Sequence, residues 1–402
     1  MQSLFKLQYT RVALIRCRDY ERSTVTTSIR QALALVGGLE SIVKPGQRVL
    51  LKVNLLSARK PEEAVTTHPE VVRALALEVK KAGGIPVIGD SPSITGELNR
   101  CWQVTGIKQV AEELNLKLIN FETSGILSKR INSRTYWLAK PALDADVIIN
   151  IPKLKTHHLT LLTCGIKNLF GVIPGLRKTA YHKEFLKPKA FSKILVDIFS
   201  LVKPQLTVVD GIVGMEGAGG PSTGKIRPIG LIIAGTDAVA VDVLVTKILG
   251  KNPLSIYTTQ IAFERGLGEA DLEKIEILGE PIENVTISDF EWPVNWYYQA
   301  IPMLPIKLLK GLHWIRPTIA KGRCEGCGFC VQICPTSALS FLNSPKIPEF
   351  NYKLCINCFC CAEVCPSQAI EQKRSRIARV VRQLRRIRGV LPSIKRGVRG
   401  VL

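Results

Sequence analysis

Two cysteine-rich segments near the C-terminus share one spacing, and this spacing constrains the fold more than any other feature of the 402-residue chain. Residues 324–335 read CEGCGFCVQICP, and residues 355–366 read CINCFCCAEVCP. Both segments fit C-x2-C-x2-C-x3-C-P, and the second begins 31 residues after the first. The match continues beyond the cysteines, because TSAL at 336–339 parallels SQAI at 367–370. The two segments are therefore copies of an internal duplication.

The cysteine spacing predicts iron–sulfur clusters. Three thiolates at intervals of three residues can surround three corners of a cubane, and in two-cluster ferredoxins the fourth ligand of each cluster comes from the other copy. The sequence therefore predicts two [4Fe–4S] clusters. The predicted ligands are Cys324, Cys327, Cys330 and Cys365 for cluster 1, and Cys355, Cys358, Cys361 and Cys334 for cluster 2.

Two alternatives concern these cysteines. Zinc also binds four thiolates, but zinc sites pair C-x2-C units across longer gaps and do not require the proline-terminated run. Clusters with a purely structural role are the second alternative. Cys360 does not fit the ligand spacing, so we expect it to be a buried neighbour rather than a ninth ligand.

Cysteine distribution and the N-terminus indicate the compartment. Nine of the twelve cysteines fall between Cys324 and Cys365. The first 16 residues mix basic and apolar residues and lack the apolar stretch and cleavage site of an export signal. Clustered thiols without export favour metal binding in a reducing compartment. The most apolar run, 229–250, contains two aspartates, so we expect a cytoplasmic protein without a transmembrane helix.

The first 290 or so residues alternate strand-like and helix-like segments. A capping residue and Pro69 predict the start of one helix near His68. Alternation of this kind predicts an α/β fold, a mostly parallel sheet with flanking helices, beside a small α+β ferredoxin-like domain. Strand-like segments cover 48–54, 85–90, 117–121, 147–151, 206–209 and 229–234; helix-like segments cover 71–82, 107–114, 191–202 and 238–249.

Both parts of the chain resemble known families. The stretches that carry the resemblance of the longer part are KVN at 52–54, GDSP at 89–92, NIPKLKTH at 150–157, CGIKN at 164–168 with Gly171, and DG at 210–211. This part resembles the family called domain of unknown function 362, and residues 321–372 resemble a bacterial-type two-cluster ferredoxin module. The family often carries such a module at its C-terminal end. The resemblance implies a fold and clusters, but no agreed reaction.

A basic stretch in the large part is the candidate binding site. Residues 153–183 contain no Asp or Glu, and Lys153, Lys155 and His157 alternate after a strand. Such a cationic site at strand ends suits a carboxylate or phosphate, and His157 is a candidate for proton transfer. A solvated basic loop with locally bonded histidines is the alternative. The substrate-binding candidates, helped by the resemblance, are Lys52, Asn54, Asp90, Lys153, Lys155, His157, Lys167, Asn168 and Asp210.

A glycine-rich segment follows Asp210. Residues 219–225 fit G-x4-G-K, but Ile226 follows where a phosphate loop needs Ser or Thr. We therefore expect the glycines of the loop at 211–225 to permit a tight turn or a close backbone approach to a ligand. Asp90 and Asp210 each follow a strand, where a carboxylate binds a metal, acts as an acid or base, or caps a loop.

Four domains are predicted: an α/β domain at 1–290, a linker rich in aromatic residues and proline at 291–320, the two-cluster domain at 321–372 and a basic tail at 373–402. The tail carries eleven of the 55 Lys and Arg residues and no acidic residue, within a chain of net charge +22. Apolar residues between Ile377 and Leu391 lie on one side of a predicted amphipathic helix. This helix could bind an anionic membrane surface, or it could dock on the protein itself or on an acidic partner protein. Binding of the tail to nucleic acid is disfavoured.

These patterns predict an iron–sulfur oxidoreductase. Its ferredoxin domain would pass single electrons between a redox partner protein and an anionic small molecule held in the α/β domain. A non-catalytic electron carrier or assembly protein is one alternative. A redox sensor that controls a non-redox enzyme is another.

Overall fold

The computed structural model describes residues 9–93, 96–293, 314–342 and 346–375. Most of the predicted linker and the helix predicted at 377–391 lie outside these residues. These residues form a large unit, within 9–293, and a small unit, within 314–375. Among the helices of these ranges, none combines the length and the apolar character needed to cross a bilayer.

The large unit is an α/β structure built on a ten-stranded sheet and an additional hairpin. Its strands are β1 (Thr10–Arg16), β2 (Arg48–Lys52), β3 (Ile85–Asp90), β4 (Lys117–Asn120), β5 (Ile126–Ile131), β6 (Arg134–Ala139), β7 (Val147–Asn150), β8 (Lys153–His157), β9 (Leu161–Thr163), β10 (Leu206–Glu216), β11 (Lys225–Gly235) and β12 (Ile275–Gly279). The sheet order is β12-β1-β11-β10-β7-β2-β3-β4, with β8 paired to β10 and β9 paired to β8. Most neighbours are parallel, as predicted; β11 is antiparallel to both β1 and β10. Strands β5 and β6 form the separate hairpin.

Helices cover both faces of the sheet. They are α1 (Arg22–Leu35), α2 (Pro69–Lys81), α3 (Leu98–Val104), α4 (Ile107–Glu113), α5 (Lys140–Leu143), α6 (Gly165–Asn168), α7 (Arg177–Glu184), α8 (Pro188–Val202), α9 (Ala238–Ile248) and α10 (Tyr257–Glu264). Side chains alternate between two cores, because Leu50 faces the core under α8 and α9 while Val49 and Leu51 face the core under α1 and α2.

Most of the predicted elements lie near their predicted bounds, while β10, β11 and α8 extend several residues beyond them. Strand β3 spans the predicted residues, and α2 begins where predicted, with the His68 Nδ1 accepting from the Glu70 N–H at 3.2 Å. The predicted glycine-rich loop is shorter than expected, because β10 continues to Glu216. A Cβ on Gly214 would lie 2.9 Å from the Leu154 carbonyl oxygen, so this glycine permits close strand packing instead of a turn.

The small unit contains two short sheets and two helices. Strand β13 (Ile315–Ile319) pairs antiparallel with β16 (Ile370–Arg374), and β14 (Leu339–Ser340) pairs with β15 (Glu349–Phe350). The helices are α11 (Phe329–Gln332) and α12 (Cys360–Val364). Strand β13 lies within the segment predicted as linker. Ile315 and Ile319 pack against the small core, which explains why this strand belongs to the small unit.

The duplication is visible in the backbone. Residues in the left-handed backbone conformation recur at the same positions of the two copies. Glycine adopts this conformation most readily. The first copy uses glycine at two of them, whereas the second copy uses side-chain-bearing residues. The pairs are Gly326 (φ 70°) with Asn357 (54°), Gly328 (76°) with Phe359 (59°), and Ser337 (52°) with Gln368 (51°).

Candidate functional site

The predicted ligands of cluster 1 lie together. Burial and the neighbouring Cys365, Cys327 and Cys324 raise the pKa of the Cys330 thiol to about 12. Thiolates at these positions would therefore repel one another unless a cation lies among them. The four side chains are the set that the sequence assigned to cluster 1.

The predicted ligands of cluster 2 also meet. Burial raises the pKa of the Cys361 thiol well above its usual value, and Cys358, Cys355 and Cys334 of the same set, with Cys330 of the other set, add to this effect. A backbone N–H four residues further along also reaches the last cysteine of each copy, Ala338 to the Cys334 Sγ at 3.1 Å and Ala369 to the Cys365 Sγ at 3.2 Å. Such N–H···S bonds stabilise anionic sulfur ligands.

The donor set fits iron–sulfur clusters. Eight thiols in two interleaved groups of four offer the soft anionic ligands that cluster iron requires, and the iron would relieve their mutual repulsion. Cys360 is buried beside them. Its hydrogen bond with Cys358 and its burial raise the pKa of the Cys360 thiol well above its usual value.

A cleft lies between the two units. Both units line it, so a molecule in this cleft would touch the large unit and the cysteine-rich helix α12 together. The large unit contributes Asn54, Asp90, Lys167, Asn168, Phe170, Lys178 and His182 among others, and the small unit contributes Ile333, Cys360 and Glu363.

Two of the predicted site lysines are paired with the two predicted aspartates. The Lys52 Nζ lies 2.8 Å from Asp90 Oδ1, and the Lys153 Nζ lies 2.9 Å from Asp210 Oδ2, all four being buried. Asp210 also accepts from the Tyr20 hydroxyl at 2.8 Å. Burial lowers the pKa of both lysines. Because the two aspartates compensate the charges of Lys52 and Lys153, these lysines offer a ligand less net positive charge than the sequence predicts.

Asparagine side chains connect the remaining predicted residues. The Lys155 Nζ donates to Asn54 Oδ1 at 2.8 Å, and the Asn54 Nδ2 donates to Asn168 Oδ1 at 2.9 Å. The Asn168 Nδ2 in turn donates to Asn150 Oδ1 at 2.8 Å. Lys155 thus has neutral oxygen partners, and burial lowers its pKa well below the usual value. The chain of amides fixes the orientation of Asn54 and Asn168 at the cleft.

Lys167, Lys178 and His182 face the cleft. Burial lowers the pKa of Lys167, while the Glu363 carboxylate raises it. Burial lowers the pKa of Lys178 to about 8, although its Nζ donates to the Ser91 and Pro92 carbonyls at 2.6 and 2.7 Å. Within the described ranges, the buried His182 Nδ1 has no hydrogen-bond partner. Lys178 and His182 belong to the basic stretch at 153–183 but are not among the predicted substrate-binding candidates.

His157 is fully buried, next to the cleft residue Glu363, and its hydrogen bonds select one tautomer. Its Nδ1 accepts from the Leu159 and Thr160 N–H groups at 3.1 and 3.3 Å, so the neutral ring carries its proton on Nε2. This Nε2 lies 3.5 Å from Glu363 Oε1. Burial lowers the pKa of His157 well below its usual value. Possible ligand atoms of His157, His158 and Glu363 lie within 4.8 Å of one another, but a protonated Nε2 has no lone pair for a metal ion.

Glu363 is not among the site residues predicted from the sequence. Its only sequence signal is its position in the duplication, since Gln332 occupies the equivalent place in the first copy. Gln332 is exposed, whereas Glu363 is buried against the large unit. Burial raises the pKa of the Glu363 carboxyl. The neighbouring Lys167, Lys155 and Lys178 lower this pKa by less, so the net shift is upward.

The glycine-rich turn docks the small unit. A Cβ on Gly220 would lie 2.3 Å from the Thr156 carbonyl oxygen, so the turn packs tightly on β8. The Ser222 hydroxyl donates to the Ala362 carbonyl in α12 at 3.1 Å, and the Gln372 side chain donates to the Ala218 carbonyl. Lys225 pairs with Glu216 at 3.1 Å. The glycines of this turn therefore permit close packing of protein against protein.

Each of the two units matches a known family model. The family model "Domain of unknown function (DUF362)" matches residues 49–247, and a 4Fe-4S dicluster domain matches residues 323–369. The thylakoid-associated protein sll1697 of Synechocystis sp. strain PCC 6803 is 38% identical over 275 residues, which are 68% of this chain and 85% of that protein.

Two solved structures show a weaker likeness. The lactate racemase apoprotein of Thermoanaerobacterium thermosaccharolyticum has a TM-score of 0.38 at 13% identity and covers 58% of this chain. A structural-genomics protein from Thermotoga maritima has a TM-score of 0.37 at 12% identity and covers 61%. The chain spans 56% and 59% of these two proteins. With the sequence relative and the domain match, the conclusion is that this chain is an iron–sulfur protein that belongs to the DUF362 family.

Proposed function

We propose that the protein is an oxidoreductase that binds two [4Fe–4S] clusters and acts on an anionic small molecule in the cleft between its units. The observation that carries this proposal is the shared lining of the cleft. Lys167 and His182 come from the α/β unit, while Cys360 and Glu363 come from α12, the helix within the second cysteine segment. A molecule bound there lies beside the cluster ligands.

The grouping of the eight thiols supports two clusters. Cys324, Cys327, Cys330 and Cys365 would hold cluster 1, and Cys355, Cys358, Cys361 and Cys334 would hold cluster 2. When bound, such clusters supply one-electron transfer. The chain fixes the geometry through the backbone N–H groups of Ala338 and Ala369, which reach one ligand sulfur in each set.

The charges of the cleft support an anionic substrate. Lys167 and Lys178 line it, and Lys155 lies behind Asn54. Phe170 and Ile333 add apolar walls, which suit a carboxylate or phosphate on an apolar body. In this proposal the His157 Nε2, which lies 3.5 Å from the cleft residue Glu363, holds a proton behind the site, while the Lys52–Asp90 and Lys153–Asp210 pairs fix the surrounding loops.

An anaerobic redox titration followed by electron paramagnetic resonance tests the redox half of the proposal. Iron and sulfide are quantified in the same sample. We expect two clusters that are reduced at low potential and that show magnetic coupling with each other. Clusters that cannot be reduced in a physiological range would contradict electron transfer and favour a structural module.

Calorimetric titration with inorganic phosphate and with acetate tests the substrate half. We expect Lys167→Met to abolish the binding of at least one anion, because its amine faces the cleft. Lys183→Met is the matched control, since Lys183 lies in the same basic stretch but is exposed. If the wild-type chain binds neither anion, the protein is better described as an electron carrier or a docking protein.

We also propose that the tail holds the protein at an anionic membrane surface. Two observations support this: the relative sll1697 is named as thylakoid-associated, and eleven basic residues without an acidic one fill residues 373–402. Flotation with vesicles that contain anionic lipid tests it. We expect the full chain to float and a chain ending at Ser375 to remain below. Equal behaviour of the two chains would contradict this role.

A further inference from the structure

Arg59 is a buried cation at the contact between the two units. Only 1% of the residue is exposed, although it lies in the connection between β2 and α2. Its Nε lies 2.9 Å from Glu63 Oε1, its Nη1 donates to the Cys365 carbonyl at 3.0 Å, and its Nη2 donates to the Ser222 carbonyl at 3.3 Å. A guanidinium is rarely buried unless such partners compensate for its lost hydration.

The charge of Arg59 is better shielded from solvent than that of its carboxylate partner. The Glu63 side chain is 29% exposed, and it also accepts from the Gln368 Nε2 at 2.9 Å. Water and salt therefore screen the negative charge more than the positive one. The field at the Cys365 peptide is consequently that of a partly compensated positive charge.

The two copies of the duplication differ at this point. In both copies a backbone N–H three residues further along reaches the carbonyl of the last cysteine, Ser337 to Cys334 at 3.2 Å and Gln368 to Cys365 at 3.3 Å. The Cys365 carbonyl additionally accepts from Arg59. The large unit thus places a cation on the residue that crosses from the second copy to cluster 1.

We propose that Arg59 raises the reduction potential of cluster 1. Reduction adds one negative charge to the cluster, and a buried positive charge nearby stabilises the reduced state more than the oxidised state. Arg59 is a positioning and tuning residue in this role, since it touches the ligand residue and not the cluster. The inference rests on the proposed function, because it needs Cys365 as a ligand of cluster 1.

Opposite charge changes at one ion pair provide the test. The full-length protein with its clusters is titrated anaerobically by electron paramagnetic resonance as wild type, Arg59→Gln, Arg59→Lys and Glu63→Gln. We expect Arg59→Gln to shift the one-electron equilibrium of cluster 1 about tenfold toward the oxidised state, which is about 59 mV. Glu63→Gln should shift it toward the reduced state, and Arg59→Lys should stay near wild type. Cluster 2 should change less in every variant.

The outcomes separate this inference from the proposed function. Cys327→Ser and Cys358→Ser assign the two signals to their clusters, and iron and sulfide contents establish the cluster number first. Two clusters with an unchanged cluster 1 potential in Arg59→Gln, or shifts of the same sign in Arg59→Gln and Glu63→Gln, would overturn the inference alone. Absence of a cluster at the Cys365 set in the wild type would overturn both.

Discussion

At the scale of single residues, the large unit contains buried ion pairs whose loss would lower its stability. Lys153 and Asp210 are both fully buried and 2.9 Å apart. Removing one partner leaves an uncompensated charge in the interior. We expect Lys153→Met to lower the free energy of unfolding by about 3–5 kcal/mol, measured by urea denaturation of the cluster-loaded protein.

The double variant Lys153→Met/Asp210→Asn is the control for this charge effect. It removes both charges, so it should be more stable than Lys153→Met alone. A single variant with wild-type stability would show that the pair contributes nothing. The sequence predicts Lys153 and Asp210 as ligand contacts. In the structure they form an ion pair, because a buried charge needs a partner of opposite sign.

Lys178 gives the protein a pH-dependent stability. Burial lowers its pKa from 10.5 to about 8. Between these values the unfolded chain holds a proton on this amine and the folded chain does not, so the free energy of unfolding rises with pH. We expect the wild-type protein to gain up to about 3 kcal/mol over Lys178→Met between pH 8 and pH 10.5. Urea denaturation at both pH values measures this, and a constant difference would contradict it.

At the scale of elements, the first cysteine loop depends on two glycines with different surroundings. Gly326 and Gly328 both have positive φ values, 70° and 76°. A Cβ on Gly326 would lie 2.7 Å from the Lys346 carbonyl oxygen, whereas a Cβ on Gly328 would approach Phe341 only to 3.6 Å. Backbone strain is thus common to both positions, and a steric clash is specific to one.

The matched pair Gly326→Ala and Gly328→Ala tests this difference. We expect Gly328→Ala to cost about 1–2 kcal/mol and to keep its iron, because Phe359 adopts the same conformation in the second copy. Gly326→Ala should lose iron and sulfide from cluster 1. Chemical analysis of both variants after identical reconstitution measures the contents. Equal losses would make strain, and not the clash, the cause.

Local signals in the sequence were sufficient for several elements. A capping residue near His68 and the proline at 69 predict the start of α2, and the segment at 85–90 predicts β3. The extension of β10 to Glu216 was missed because its glycines suggest a turn, and only packing against β8 and β11 shows that they belong to a strand. Strand β13 was missed because its partner β16 lies far away in the chain.

At the scale of the whole molecule, the cleft is a product of the contact between two units. Sequence patterns grouped the eight thiols and the lysines near β8, but they did not show that α12 would lie opposite Lys167. Glu363 and Arg59 were missed for this reason, since their roles depend on residues of the other unit. No spacing rule within one unit could have identified them.

Glu363 provides a test of this contact. Glu363→Gln removes the carboxylate that faces Lys167, and the cysteine loop should tolerate it because Gln332 stands at the equivalent position. We expect the affinity for inorganic phosphate to rise about tenfold, or about 1.4 kcal/mol, with an unchanged iron content. Gln332→Glu, on the exposed side, should change neither quantity. Unchanged phosphate affinity in Glu363→Gln would contradict the electrostatic role of Glu363 in the cleft.

The pairing of β13 with β16 also has a mechanical consequence. The N–H of Trp314 donates to the Ser375 hydroxyl at 3.2 Å, and the N–H of Ser375 donates to the Trp314 carbonyl at 3.0 Å. The chain therefore enters and leaves the small unit at one seam. A pull on the tail that follows Ser375 would pass from β16 across the hydrogen bonds to β13 and into the segment before Trp314. The hydrogen bonds between Trp314 and Ser375 would therefore bear the load of a tether before the cysteine loops do.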